Sequence, residues 1–455
     1  AKGIHEILEK KDDFGKNAHC AGMKTLVEFT DPNPFKEFHI GHLMSNAIGE
    51  SIARIISFHG AEVKRACYQG DVGLHVAKAI WGMQKIKNQK SKIKIEEWGK
   101  AYARGAEAYG TDAAAKAEMN DLNTAIFDRT DKSVNALYDA GKETSLAYFE
   151  DIYKILGTHF DYYFFESETG VLGKKLVEEN LGRVFEQSDG AVVFPESKSG
   201  LHTRVFLNAK GLPTYEAKEL GLARTKYEKY PYDFSVIITG NEVSEYFKVL
   251  LKAMALIFPD LAKKTKHLSH GMLRLSTGKM SSRTGSVVTA ESLIDAVKEK
   301  VGTEEVAVGA IKYSILHASL GGDIIFDIDK SVSIYGDSGT YLQYSYARAC
   351  SVLRKSPTQL RGGAEFARRG GGVLQLERLL CRFPEIVERA GREYAPHYIA
   401  SFLIELAGAF NSWYAKEHIL DAGDDTPYRL ALTEAFSIVM KNGLWLLGIA
   451  APEKM

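Results

Sequence analysis

Two histidines three positions apart, His39 and His42, and a distant lysine, Lys279, are the side chains of this 455-residue chain whose settings point most directly to chemistry. The histidines end the stretch Pro32-Asn33-Pro34-Phe35-Lys36-Glu37-Phe38-His39-Ile40-Gly41-His42. Before it, Lys24 to Phe29 is apolar and β-favouring. After it, Leu43, Ala47, Ile48, Ile52, Ile55 and Ile56 recur at helical spacing as far as Gly60. The segment therefore reads as strand, tight turn and helix N-terminus, a junction where backbone N–H groups and the helix dipole favour a phosphate. The prolines stiffen the turn, Gly41 would let a flat ligand approach the backbone, and the two imidazoles share a face once the helix has begun. Lys279-Met280-Ser281-Ser282-Arg283 sits in a Gly/Ser/Thr-rich loop, Leu275 to Val287, which could close a mobile cation over phosphates. Taken singly, each residue has a bland alternative, a surface histidine or a solvated lysine.

The elements that must hold these residues follow an α/β pattern. Glu62 to Gln69 predicts a second strand, running through Gly70-Asp71-Val72-Gly73 into a helix that carries Leu74, Ala77 and Ile80 on one face. From Lys85 to about Gly157 the chain turns helical, alanine-rich and charged, which predicts an insertion rather than a catalytic element. A strand over 159–166, a helix to Glu186 and short β segments at 191–194 and 203–208 follow. Gly211 to Glu219 opens a helix, Asp233 to Thr239 is a buried strand by composition, a helix runs to Phe258, and Lys266 to Leu273 is a strand delivering the lysine loop. Helices at about 289–301 and 304–320 come next, and from Ser331 onward only helical spacing remains. The fold class is α/β, a doubly wound parallel sheet with a helical insertion, followed by an all-α helical bundle. The expected domains are 1–330, with the insertion at 85–157 and a loop and connecting region at 266–330, and 331–455.

Composition is that of an ordinary globular protein, 45% hydrophobic and 25% charged, with 58 basic and 58 acidic residues. Net charge thus gives no hint of nucleic acid, although residues 342–392 hold ten Lys/Arg against four Asp/Glu. Cys20, Cys67, Cys350 and Cys381 form no metal-type pair, which argues against zinc and fits a reducing compartment. No apolar run has the length of a membrane span and no signal peptide is visible, so the cytoplasm is expected.

Glu28 to Leu43 resembles the signature of class I aminoacyl-tRNA synthetases, and of arginyl-tRNA synthetases in particular. Lys279 to Arg283 resembles the Lys-Met-Ser-Lys-Ser loop of the same class, with Ser282 and Arg283 where a second lysine is usual. The resemblance covers residues 20–455, including Gly336 to Arg348, which is similar to the start of that family's anticodon-binding domain, and an ending similar to the family's C-terminal tail. It implies a Rossmann-type catalytic domain that uses ATP and Mg²⁺ to join L-arginine to tRNA(Arg) through an arginyl-adenylate. A monomer is expected, although nothing in the sequence reveals the oligomeric state. Under the resemblance His39, His42, Lys36 and Lys279 are catalytic, and His39, Gly41, His42, His270, Gly271, Met272, Lys279 and Arg283 contact ATP. Glu28, Asn33, Tyr215, Glu219 and Glu245 bind arginine, with Glu219 standing where the family has Asp. Tyr341, Tyr344 and Arg348 touch tRNA, and no metal ligand is singled out. Family members usually carry an extra N-terminal domain, whereas only about twenty residues precede the first strand here, too few for a folded module. Weak, salt-sensitive tRNA binding is expected on that ground. The alternatives are a synthetase-like RNA-binding or regulatory protein without catalysis, and a small-molecule adenylyltransferase.

Overall fold

The structure, a computed structural model, describes residues 2–86, 93–276, 288–356 and 374–455. The lysine loop, with Lys279 and Arg283, and the Arg361 to Gly372 connection lie outside these residues. By its internal packing the chain forms two units: Lys24–Leu43 with Lys64–Ser269, and Ala1–Met23 with Met44–Val63 and His270–Met455.

The first unit is built on a five-stranded sheet in the order β3-β2-β1-β7-β8. Its strands are β1 (Lys24–Glu28), β2 (Glu62–Gln69), β3 (Tyr162–Phe165), β7 (Phe234–Gly240) and β8 (Thr265–His270). β1 pairs with β7 and β2 with β3, both in parallel. The chain builds outward from β1 to β3, then returns to the other side of β1. This creates a topological switch point between β1 and β7, where ligands of such sheets bind beyond the strand C-termini. Leu26 and Val27 of β1 are wholly buried, as a strand covered on both faces must be.

Helices α2 (Ile40–Phe58) and α3 (Leu74–Gln84) follow β1 and β2 as the sequence predicts. The insertion is three helices, α4 (Ile95–Thr111), α5 (Ala113–Asp128) and α6 (Lys132–Leu156). Helix α7 (Glu166–Glu179) ends seven residues short of the predicted Glu186, because Gly182 turns with φ 80° and the Asn180 carbonyl accepts from Val184 and Phe185 N–H. The freed residues open a small antiparallel sheet of β4 (Glu186–Ser188), β5 (Ala191–Phe194), the short α8 (Glu196–Ser199) and β6 (Arg204–Leu207). Helices α9 (Tyr215–Lys229), α10 (Ser244–Ile257) and α11 (Pro259–Lys264) complete the unit. α7 and α9 approach backbone to backbone, since a Cβ at Gly173 or Gly221 would lie about 2 Å from the Ala217 or Thr169 carbonyl oxygen.

The second unit is mainly helical: α1 (Lys2–Lys10), the greater part of α2, α12 (Ala290–Val301), α13 (Glu304–Leu316), α14 (Ile328–Ser331), α15 (Gly339–Lys355), α16 (Gln375–Glu393), α17 (His397–Tyr414) and α18 (Thr426–Leu446). The predicted Lys266–Leu273 strand breaks after His270. Gly271 lies so close to Gly322 that a Cβ would meet its carbonyl oxygen at 2.2 Å, and the chain resumes as β9 (Leu273–Leu275), paired in parallel with the unforeseen β10 (Ile324–Phe326). Leu376, Leu379, Leu380, Phe383 and Val387 of α16 and Phe402, Leu403, Leu406 and Phe410 of α17 are buried as their spacing predicts. The last residues are clasped through their carbonyls. Arg54 donates to Trp445, Ser51 to Leu446, Lys312 to Gly448 and Gln343 to Ala450, at 2.7 to 3.0 Å. Among the described residues no helix is long and apolar enough to cross a membrane.

Candidate active site

The turn after β1 is a strained piece of backbone. Thr30, Asp31 and Phe35 have φ of 79°, 46° and 68°, left-handed values that side chains other than glycine adopt at a cost. Their surroundings hold them there. Asp31 Oδ1 accepts the Tyr68 N–H at 2.7 Å, Phe35 N–H donates to Ser145 Oγ at 2.8 Å, and Phe38 N–H donates to the Tyr148 hydroxyl at 3.2 Å. The Phe35 ring packs edge-on to Trp98, 5.2 Å between centroids, and fills a notch in α6 where a Cβ on Gly141 would lie 2.2 Å from it. The insertion, expected to stand apart from catalysis, is therefore the seat of the turn.

The two histidines then start α2 by capping it with each other. His39 Nδ1 accepts from Gly41 N–H at 3.1 Å and His42 N–H at 3.4 Å, while His42 Nδ1 accepts from His39 N–H at 3.3 Å. This is the reciprocal logic of a capping box, built from imidazoles. The rings stack with centroids 3.5 Å apart. A Cβ on Gly41 would come within 2.9 Å of His39 Cε1, so the ring of His39 is itself a reason for glycine here. With both Nδ1 atoms accepting, the neutral rings carry their protons on Nε2. Burial, then the charge of Lys36, pushes His39 down to about 4, and His42 is lowered well below the ordinary value by burial, His39 and Lys36. At neutral pH both are uncharged hydrogen-bond donors. Lys36 supplies the nearby positive charge, its ammonium 4.2 Å from the centre of the Tyr102 ring on α4.

Beyond the strand ends, carboxylates gather around two buried lysines. Glu28, at the end of β1, meets Lys226 of α9 at 2.6 Å, and both side chains are 2% exposed. Glu166, at the start of α7, meets Lys218 at 2.5 Å. Asp71 accepts from the Tyr138 hydroxyl, the Lys142 ammonium and both the N–H and hydroxyl of Ser167, tying α6 to the β3–α7 junction. The Glu219 side chain, half-buried on α9, has no hydrogen bond or ion pair with a described residue. Burial, then Glu28, raises its carboxyl well above the usual range, against the opposing pull of Lys226. Asp31 is raised likewise, by burial and Glu28. A site with carboxylates in excess of cations is arranged for a positively charged ligand.

A family model described as tRNA synthetases class I (R), catalytic domain, matches residues 3–308, and one described as DALR anticodon binding domain matches residues 342–455. The arginine–tRNA ligase of Treponema denticola is 31% identical, over 99% of this chain and 82% of its own length. The chain belongs to the arginyl-tRNA synthetase family. It is therefore an aminoacyl-tRNA ligase. The Treponema pallidum arginine–tRNA ligase is 30% identical over 83% of its length. The fold is that of the Thermus thermophilus arginyl-tRNA synthetase structure, with a TM-score of 0.79 at 24% identity over 99% of this chain and 86% of that one.

Several residues expected to serve this arginyl-tRNA synthetase already have partners in the structure. Glu245 stands exposed on α10, paired with Lys248 at 2.7 Å, and so makes a surface ion pair. Glu28 already has a cationic partner in Lys226. The Asn33 amide oxygen packs on Gly70, where a Cβ would lie 2.4 Å away. Tyr215 is more than half exposed, in the first turn of α9, with Lys218 over its ring at 5.1 Å. In the second unit His270 is buried and its Nδ1 lies 2.8 Å from the Gly271 carbonyl. Both main-chain groups of Met272 are engaged, its N–H with Asp323 and its carbonyl with Ile324 N–H, so reading adenine through them would break these bonds. Arg348 donates to Asn411 and lies between the rings of Tyr344 and Tyr414, and Tyr341 N–H is capped by Ser338. Sequence reasoning missed Lys226, Glu166, Lys218 and His75, whose Nε2 lies 2.7 Å from the Gly70 carbonyl. Of these only Lys226 left a signal, at seven residues from Glu219 on one helix face.

Proposed function

We propose that this arginine–tRNA ligase forms arginyl-adenylate at the turn between β1 and α2 and selects its amino acid with the carboxylates beyond β1 and α9. The arginine carboxylate attacks the α-phosphorus of ATP, the bond to the bridging oxygen breaks and pyrophosphate leaves. A terminal ribose hydroxyl of tRNA(Arg) then attacks the adenylate carbonyl, and AMP leaves. Charge builds on phosphate oxygens in the first step, so preorganised donors and cations serve it best. His39 and His42 are neutral donors at a helix N-terminus, and the reciprocal cap that fixes their protons on Nε2 is the observation that most supports this role. Lys36, Lys279 and Arg283 are the cations, the last two from the loop, with Gly41, His270, Gly271 and Met272 on the nucleotide side. Mg²⁺ would arrive on the phosphates, since among the described residues no three His, Cys, Asp or Glu are grouped to hold an ion.

Glu219 and Tyr215 read the guanidinium, with Glu28 and Asn33 toward the amino and carboxylate ends. A half-buried carboxylate without a partner among the described residues accepts a planar bidentate cation readily. Residues 1–330 serve catalysis and 331–455 the anticodon, a division supported by the two family matches. The enzyme acts as a monomer in the cytoplasm, and four unpaired cysteines support the compartment.

The experiment is discrimination between arginine and citrulline, its uncharged isostere, in aminoacylation. The unaltered enzyme should prefer arginine by about 10⁴ or more without editing, as sites built on polar contacts do. Glu219→Gln should collapse that ratio. A ratio unchanged in the variant would move guanidinium recognition away from α9.

A further inference from the structure

We propose that Lys226 is a positioning residue for substrate selection: its ion pair with Glu28 beneath the arginine pocket fixes α9 to β1 and sets a positive charge against the carboxylate cluster that receives a cationic side chain. The inference rests on the pocket assignment above and adds a residue that does not itself touch the substrate.

The geometry carries it. Lys226 is 1% exposed, on α9 two turns beyond Glu219, and its ammonium lies 2.6 Å from Glu28, itself 1% exposed at the end of β1. A lysine so deep is retained only with a charged partner. The pair thus pins the helix that presents Tyr215 and Glu219 to the strand whose end begins the signature turn. Glu219 faces Glu28 from β1, Asp31 from the turn and Glu166 from α7, with Lys226 the positive group that opposes them. Tyr68 of β2 and Tyr246 of α10 complete its surroundings, each held protonated by burial and by Glu219 among others. Burial would lower the Lys226 ammonium, and Glu28, Tyr232 and Glu219 more than reverse it, so the lysine stays charged.

Removing that charge has a definite consequence. Glu28 becomes a buried carboxylate without its cation, and Glu219 and Asp31, already raised by burial and Glu28, lose the opposing pull of Lys226. Arginine needs Glu219 ionised, so its binding should weaken and become dependent on higher pH. ATP has no such requirement.

The test is the Michaelis constant for arginine from pH 6 to 9 in full-chain Lys226→Met and Lys226→Arg, beside the constant for ATP and the melting temperature. Lys226→Met should raise the arginine constant on the order of 100-fold, the scale for truncating one partner of a buried charge pair. The acid limb of the pH profile should move to higher pH while the ATP constant holds. Lys226→Arg should return the limb to its place. Should Lys226→Met not fold, Lys226→Gln, which can still donate to Glu28 without charge, gives the same comparison. An unmoved limb, or a rise shared by every substrate with a lowered melting temperature, would overturn the proposal and leave Lys226 a purely structural residue. Glu219→Gln run alongside separates the two levels. If it keeps arginine over citrulline, the pocket assignment fails; if it loses that preference while the Lys226 variants behave normally, the inference alone fails.

Discussion

Under the proposed function His39 has two roles that substitution can separate. Its Nδ1 caps α2, and its Nε2, without a hydrogen bond among the described residues, would donate to a phosphate. Asparagine is a good N-cap and can accept from the same backbone N–H groups, yet it cannot place a donor where Nε2 stands. His39→Asn should therefore keep the melting temperature within a few degrees of the parent, whereas His39→Ala should lose a cap worth about 1 kcal/mol. Both should lower turnover roughly 100- to 1,000-fold, the usual effect of one lost transition-state donor, with arginine affinity nearly unchanged. Normal turnover in His39→Asn would reduce the imidazole to a cap. The histidines, the turn and the helix were legible in the sequence because they are contiguous and periodic. Their mutual capping was not, since it depends on ring orientation. The Glu28–Lys226 pair joins residues 198 apart, a contact that no local pattern encodes.

Among elements, the insertion departs most from expectation. Its alanine-rich, charged surface read as an appendage, and Lys142, Ser145 and Tyr148 gave no sign of their partners. In the fold α6 receives Phe35 at Gly141, accepts the Phe35 and Phe38 N–H groups at Ser145 and Tyr148, and donates to Asp71 from Tyr138 and Lys142. The signature turn has three left-handed residues, so it needs outside contacts to stay formed. Gly141→Val should push the Phe35 ring out of its notch. Turnover should fall at least tenfold, as small misplacements of reacting groups do, with far-UV circular dichroism and tRNA affinity kept. Full activity in that variant would free the turn from its dependence on α6. Strand and helix types were legible wherever a period ran for several residues, as in β1, β2, α16 and α17. Three-residue β10 is too short to show alternation, and the end of α7 is set by a turn rather than by the helix itself.

For the whole molecule, charge is the property that sequence and space describe differently. The stretch 342–392 holds an excess of six positives, ten against four, a count that suits a solvated helical surface as well as a polyanion-binding face. In the fold, acids from outside the stretch lie against it: Glu453 by Arg354 at 3.9 Å, Glu405 by Arg382 at 3.8 Å, and Glu393 by Arg389 and Arg392 at 3.1 and 3.7 Å. Arg348 is spent on Asn411 and two tyrosines. Such exposed pairs are weak and can exchange partners, but each acid lowers the potential a phosphate would meet. Binding of tRNA should accordingly depend on salt with the slope of about three phosphate contacts, not of ten. Raising salt fourfold would then weaken binding roughly 20- to 40-fold, at about 0.7 to 0.9 per contact in the logarithmic slope. Replacing Glu405 and Glu453 by Gln should tighten binding at low salt and steepen the slope. Filter binding of tRNA(Arg) across a salt series, with both proteins, measures this directly. A slope near ten in the parent, or one indifferent to the two glutamates, would mean that the neighbouring acids do not mask the arginines and that the charge count along the sequence was the better guide.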